Sequence, residues 1–412
     1  MSASYELLIG IDWATQVHQV CVVAGDGAVV EECGVEHTAQ GIQTFVDRIL
    51  NRVGGHGEHI AVAIETPRGA LVETLVEKGL HVYALNPKQL DRFRDRHTVA
   101  GAKDDRRDAY VLGDAPRTDL PKFRRIEIDH PLIIQLRELS RADDDLRDEL
   151  VRLTNRFREQ LYRCASPLLE LSPAADEPWF WDLVERLTQE RGRRLTRSQV
   201  NTLLRRHRIR RLDADQVLQA VHQEPLSTAP GAADAAHGHI GLLLPRLRIV
   251  CQQRKQCTKR LVALMGAYDE ESRGDHDPSD VGILLSLPGV GTMVAATLLG
   301  TASQLLTDRA YSGPRALTGV APVTKQSGKS KSVVMRRACD GSLRNACYHW
   351  SRTSIQHDDL ARAYYAAQRA RGHSHGRALR AVADRWLRIL MAMLETRTLY
   401  DAQLPRRIPA AA

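Results

Sequence analysis

Four carboxylates and one hydroxyl are the side chains in this 412-residue sequence best suited to chemistry: Asp12, Glu65, Asp105, Asp108 and Ser327. Asp105 and Asp108 lie three residues apart in the run AGAKDDRRDAY at 100–110. On a helix they share one face and repel unless a cation sits between them. Clustered carboxylates suit hard divalent cations: Mg²⁺ takes oxygen ligands at about 2.0–2.1 Å and keeps some of its waters. Two such ions about 3.5–4 Å apart can stabilise the attacking and leaving oxygens of phosphoryl chemistry. Asp104 falls off the shared face and is the weaker candidate ligand. Taken alone, the run also fits a solvated, charge-rich surface helix. The elements that must position the acids decide between the two.

Residues 5–35 read as a strand meander: YELLIGIDW ends in Asp12, then come VHQVCVVA, the turn GDG, and AVVEECGV. A helix follows, with Thr38 as its N-cap and Ile42, Phe45, Val46, Ile49, Leu50 and Val53 at helical spacing. GGHG at 54–57 breaks it, and HIAVAIE is a second buried run ending in an acid, Glu65. A helix over about 71–77 leads to LHVYALNP, a strand stopped by Pro87, and then to the acidic helix. Three strands, helix, strand, helix, strand, helix predicts a mixed sheet flanked by helices. This order resembles the ribonuclease-H-like (RuvC-like) fold, in which the first acid sits on strand one, the second ends a later strand and the last lie on a helix. The resemblance favours a metal site for the four acids, with Mg²⁺ as cofactor and Mn²⁺ as a substitute.

After residue 130 the pattern changes. Leu132, Leu136, Leu139, Leu146, Leu150, Leu153 and Phe157 follow alternating four- and three-residue steps, with Asp143 at one seam position. That is a heptad seam with one polar interruption, of the kind that sets register. A second long helix, about 233–265, carries Ile240, Leu244, Leu247, Cys251, Leu261 and Met265, weakened mid-way by Arg254 and Thr258. The two can pair as a hairpin or across protomers. The expected domains are 1–125, a ribonuclease-H-like unit; 126–275, coiled-coil and helical insertion; and 276–412, a mainly helical C-terminal unit.

Two motifs mark the last domain. LLSLPGVGTMVAATLLG at 284–300 has the look of a helix-hairpin-helix, whose Gly289 and Gly291 would let backbone N–H groups approach a phosphate. An ordinary glycine turn between packed helices explains it equally well. LTGVAPVTKQSGKSKSVVMRR at 317–337 sets Ser327 beside Gly328 in a cationic loop. A serine hydroxyl needs activation to act as a nucleophile. Lys325, Lys329, Lys331, Arg336 and Arg337 could stabilise charge developing on an attacked phosphodiester. No residue identifies itself as the base, and a phosphate-contacting serine is the plainer reading of the loop.

The formal net charge of +8 is concentrated: 315–352 holds eight Lys or Arg against one acid, Asp340. With RRHRIRR at 205–211, this local field favours nucleic acid as partner. No apolar run reaches the roughly 18–20 residues of a membrane span, so no membrane partner is expected. The start lacks the basic and apolar regions of a signal peptide. Seven scattered cysteines without a CxxC pair give neither a disulfide framework nor a zinc site and fit a reducing cytoplasm.

Taken together, IGIDWATQVHQVCVV, AIETPRGALVETL, VYALNP, AKDDRRDA, the long LRELSRADDDLRDELVRLTNRFREQL helix, LPGVG, GVAPVTKQSGKS and the tail YYAAQRARGHSHGRALRAVADRWLRILMAML resemble the DEDD-type serine transposases of bacterial insertion sequences, the IS110 family. The resemblance spans nearly the whole chain and is weakest over 167–232. It implies that Asp12, Glu65, Asp105 and Asp108 form a metal-binding tetrad. Ser327 would attack a DNA phosphodiester, forming a phosphoserine link and freeing a 3′-hydroxyl for strand exchange. It further implies donor and target DNA as substrates, a non-coding guide (bridge) RNA from the element, and a homo-oligomer, dimer or tetramer, whose active site joins one subunit's tetrad to another's serine. The protein would work in the bacterial cytoplasm, at the nucleoid when active. Two departures stand out: Asp104 replaces the family's usual Thr before the third acid, and Thr66-Pro67-Arg68-Gly69 replaces Ser-Thr-Gly after the second.

Two other functions compete. A structure-specific DNA nuclease of the Holliday-junction-resolvase type would use the tetrad alone, with no protein–DNA adduct. A non-catalytic nucleic-acid-binding protein would need neither the acids nor Ser327.

Overall fold

Runs of β-branched residues build the first third of the chain into a sheet. The computed structural model describes residues 5–97, 104–189, 195–225, 229, 231–273, 278–309, 311–328 and 330–403. Strands β1 (Leu7–Asp12), β2 (Val17–Ala24) and β3 (Val29–Glu36) form an antiparallel meander. Helix α1 (Ala39–Arg52) follows, capped by the Thr38 hydroxyl, which accepts from the Gly41 N–H at 3.0 Å. Then come β4 (Ile60–Ile64), α2 (Ala70–Glu77), β5 (His81–Ala84), α3 (Pro87–His97), α4 (Asp105–Asp119) and β6 (Arg124–Ile126). The sheet order is β3-β2-β1-β4-β5-β6, with β1, β4 and β5 parallel and the outer pairings antiparallel.

Two elements depart from the expected order. Pro87 does stop the strand, but it also opens α3, where its missing N–H is no loss. Strand β6, sequence RRI, offers no apolar run by which to detect it.

Every residue of β4 is buried, as a parallel strand covered on both faces requires. Ile9, Ile11, Val62 and Ile64 pack with α1 and α2 on one face; Leu8, Ala61 and Ala63 pack with Ala109, Leu112 and Ala115 of α4 on the other. Gly10 lets α4 lie directly on β1. A Cβ there would sit 1.9 Å from the Ala109 carbonyl oxygen and 2.3 Å from the Gly113 nitrogen.

The chain divides into two compact units, Met1–Asp129 and His130–Ala412. The second opens with α5 (Pro131–Cys164), then α6 (Pro178–Gln189), α7 (Arg197–Arg206), α8 (Ala214–His222) and α9 (Ala232–Arg273). Leu153, Phe157 and Leu161 near the end of α5 share a core with Ile240, Leu244 and Leu247 near the start of α9. Ile133 and Leu136 share another with Leu261 and Met265. The two long helices therefore pair antiparallel within one chain. Their polar seam residues meet: Arg254 Nε and Nη2 donate to the buried Asp143 carboxylate at 3.2 and 3.0 Å.

The unit continues with α10 (Asp280–Ser286), α11 (Thr292–Thr307), α12 (Ser312–Leu317), the hairpin β7 (Val323–Ser327) and β8 (Ser330–Val334), α13 (Gly341–His357), α14 (Asp359–Ala370) and α15 (His375–Thr396). Among the described residues no helix is long and apolar enough to cross a membrane.

Candidate active site

Asp12 is the last residue of β1, and Glu65 directly follows β4. These strands run parallel with Ile11 opposite Ile64, so the two acids leave neighbouring strands, about 4.8 Å apart, at the same level. Strand alternation turns Asp12 to the face of Leu8 and Gly10, the one α4 covers. Helix α4 runs opposite to β1. Its Ala109 and Gly113 ride on Gly10, while Arg117 in its last turn reaches the β2–β3 turn, with Nε 3.2 Å from a Cβ position on Gly27. The first turn of α4 therefore lies at the end of the sheet where Asp12 and Glu65 emerge. Asp105, Asp108, Ala109 and Leu112 follow one helical stripe, with Asp105 exposed at its mouth and Asp108 only 2 % exposed.

The positive charge beside Asp108 comes from the protein. Arg94 of α3 grips it with both arms, Nε to Oδ1 at 2.5 Å and Nη2 to Oδ2 at 2.7 Å, while its Nη1 donates to Asp91 Oδ1 at 2.5 Å. The bonds to Asp108 hold the Arg94 guanidinium above its ordinary pKa, and the charges of Asp108, Asp91 and Glu65 add to the effect. Asp104 is the N-cap of α4, its carboxylate accepting from the Arg106 N–H at 3.4 Å. Among the described residues no three Asp, Glu, His or Cys side chains are grouped to hold one metal ion. The acids approach one end of the sheet without grouping into a metal cage among the described residues, and Arg94 occupies both oxygens of Asp108.

The loop after Asp12 is pinned from behind. The Ala14 N–H donates to Nδ1 of the fully buried His18 at 3.1 Å, which leaves the His18 proton on Nε2 to bond His37 Nδ1 at 2.8 Å. Burial, and then the neighbouring His37, hold the His18 pKa below its ordinary value. Arg94 and His18 both escaped the sequence reading. One is an arginine among several in a charged helix, the other a polar residue in a strand of mixed pattern.

In the second unit Ser327 is exposed at the tip of the β7–β8 hairpin, opposite Ser330, with Gly328 turning at φ +55°. Lys325 is two residues from Ser327 on the same face of the hairpin; Lys331, opposite Gln326, is on the other. Lys329 lies outside the described residues. Arg336 Nε donates to the Ala321 carbonyl at 3.3 Å and braces the hairpin's base, and the Arg337 carbonyl accepts from Arg344 Nη2 at 3.0 Å.

The two glycines of LPGVG differ. Gly289 has φ +81°, and a Cβ on it would come within 2.6 Å of the Ser354 nitrogen in α13; the Trp350 indole fixes the same turn by donating to the Pro288 carbonyl at 3.0 Å. Packing between helices accounts for Gly289. Gly291 is exposed at the N-cap of α11, with nothing within 4 Å of its Cβ position.

Comparison with known proteins matches both ends of the chain to one family. A transposase model for the DEDD domain of IS110 elements matches residues 9–165, and the model described as transposase IS116/IS110/IS902 family matches 281–366. The chain belongs to the IS110 family of insertion-sequence transposases. Among IS110-family relatives, the "mini-circle putative transposase for IS117" of Streptomyces coelicolor is 29% identical, with 97% of this chain and 96% of that protein covered. An uncharacterized 43.6 kDa protein of insertion element IS110 from the same species is 27% identical over 98% of both. A putative transposase of Sinorhizobium fredii, y4uE, is 46% identical over 207 residues, half of this chain and 58% of that relative's length. In the IS110-family chain described here, the first matched segment contains all four acids and the second contains the Ser327 hairpin.

Proposed function

We propose that this IS110-family chain recombines DNA, cutting and rejoining strands through Ser327, with Asp12, Glu65, Asp105 and Asp108 as a divalent-metal site. The observation that carries the reading is the approach of α4's Asp105–Asp108 stripe to the strand ends that bear Asp12 and Glu65.

In the proposed reaction Ser327 Oγ bonds to a backbone phosphorus as the bond to the 3′ oxygen breaks. The hydroxyl proton is released, and the departing oxygen takes one up as a free 3′-hydroxyl. The reverse step on another end reseals the strand. Lys325, on the serine's face of the hairpin, is suited to offset charge on the attacked phosphate. Mg²⁺, with Mn²⁺ as a substitute, would neutralise the acids once Arg94 releases Asp108. A guide RNA, an oligomer and a place at the bacterial nucleoid belong to the same reading and rest on family membership alone.

The test is strand exchange with DNA carrying the element's ends. Ser327→Ala should abolish exchange and keep DNA binding, and Asp12→Asn should also be inactive. Cleavage surviving in Ser327→Ala would instead support a nuclease that uses the acids alone.

A further inference from the structure

A cavity of about 230 Å³ opens at the base of the Ser327 hairpin, between Val334 and Met335 on one side and the start of α15 on the other. Arg377, Arg380 and His373 line the helix side. The acid in its wall, Asp384, is already satisfied: it accepts from Arg315 Nε and Nη2 at 2.8 and 3.1 Å and from the Tyr311 hydroxyl. Among the described residues, Arg377 and Arg380 have no carboxylate partner. Arg380 is half-buried, and its Nη1 points at the Met335 sulfur at 3.3 Å, a weak acceptor. Burial, and then the like charge of Arg377, pull the Arg380 pKa below its ordinary value. The His373 Nδ1 is shut off from solvent with no hydrogen-bond partner in the described structure. Two like-charged guanidinium groups lining one small cavity, with the only carboxylate in its wall already paired, make the cavity suited to an anion.

We propose that this cavity binds a backbone phosphate of the DNA strand on which Ser327 acts, held by Arg377 and Arg380, with the His373 ring in its wall. The proposal rests on the recombinase reading above for the identity of the strand. Phosphate matches the donors better than a lone carboxylate, because several oxygens can accept two guanidinium forks at once. The volume, below the roughly 300–1,000 Å³ of drug-sized pockets, suits one phosphate rather than a folded cofactor. Position assigns the strand. Val334 lies four residues along β8 from Ser330, the partner of Ser327, so the cavity is about 14 Å from the serine. Measured along the axis of a duplex, that corresponds to the rise of about four nucleotides of one strand. The site would hold the strand in register while its scissile phosphate meets the hairpin tip.

The experiment uses the full chain carrying Ser327→Ala, so that neither cleavage nor adduct formation enters the readout. Binding of a twenty-thymidine DNA strand is followed by anisotropy across salt concentrations, with a twenty-uridine RNA as the second arm. Adding Arg377→Gln and Arg380→Gln should weaken DNA binding about tenfold or more and reduce the slope of log affinity against log salt by about 1.4, two contacts at about 0.7 each. Unchanged affinity and slope in a double variant that melts like its parent would overturn the site. Loss on the RNA arm alone would overturn its assignment to DNA. A second measurement needs no pocket variant: inorganic phosphate titrated into histidine-labelled protein should shift the His373 ring resonances saturably, and their failure to move would also reject the site. A chain that never forms a Ser327 adduct would remove the recombinase reading and leave these binding results standing.

Discussion

Arg94 and Asp108 form a bidentate ion pair at the end of the sheet where Asp12 and Glu65 emerge, and Asp108 is 2 % exposed. Removing one partner from a buried pair costs about 3–5 kcal/mol, because the other charge is left uncompensated. Arg94→Gln should therefore lower the unfolding midpoint without metal. It should also open Asp108 to a cation, so Mn²⁺ binding followed by electron paramagnetic resonance should tighten by about tenfold or more, on the order of the 1.4 kcal/mol that tenfold represents. Equal Mn²⁺ affinity in the wild type and the variant would show that Arg94 does not compete for the site.

Gly10 and Gly289 should behave as packing glycines. Gly10→Ala drives a methyl into the α4 backbone at Ala109, and Gly289→Ala drives one into α13 at a φ of +81°. Overpacking costs about 1–3 kcal/mol or more when backbone must move. Both variants should unfold at lower denaturant, and Gly10→Ala should also lose strand exchange, because α4 carries two of the acids. Gly291→Ala, with open space at its Cβ position, should leave stability within about 0.5 kcal/mol of the parent. A stable, active Gly10→Ala chain would break the link between α4 docking and the site.

Asp143 and Arg254 make a second prediction about buried charge. Arg254→Leu alone should destabilise the second unit by about 3–5 kcal/mol, whereas Asp143→Leu with Arg254→Leu should recover most of the loss or exceed the parent. Urea denaturation of the two single variants and the double variant measures the coupling. Additive losses would mean that the two side chains do not depend on each other.

His18 gives a pH dependence. Its folded pKa is depressed, so the folded state prefers the neutral ring, and the stability this supplies is complete above the unfolded pKa of about 6.5. As pH falls through the lower folded value, protonation forces a proton onto Nδ1 and breaks the bond from Ala14. The stability advantage of the wild type over His18→Gln should shrink as pH falls below about 6.5. A constant difference in denaturation midpoint across that range would exclude this role.

Much of the architecture was legible because its signals are local. The Thr38 cap, the buried runs of β1 and β4, and the 3.6-residue stripe of α1 each follow from a few neighbouring residues. That Asp12 and Glu65 leave neighbouring strands at one end of the sheet follows from element order and the pairing of β1 with β4. What stayed hidden depends on pairing across distance. Nothing in LDRFRDR singles out Arg94 as the partner of Asp108, and RRI does not announce an edge strand. Asp143 and Arg254 each looked like a flaw in a heptad seam until the antiparallel pairing of α5 and α9 joined them. The LPGVG turn fits either a phosphate loop or a packing joint, and only the position of Ser354 explains Gly289.

The central claim is that Ser327 becomes covalently joined to DNA. Full-length protein incubated with DNA bearing the element's ends and Mg²⁺, then denatured, digested with protease and nuclease and analysed by mass spectrometry, tests it most directly. The account predicts a peptide carrying a nucleotide phosphate on Ser327, absent from Ser327→Ala and from Asp12→Asn. Strand exchange at full rate with Ser327 unmodified at every time point would contradict it.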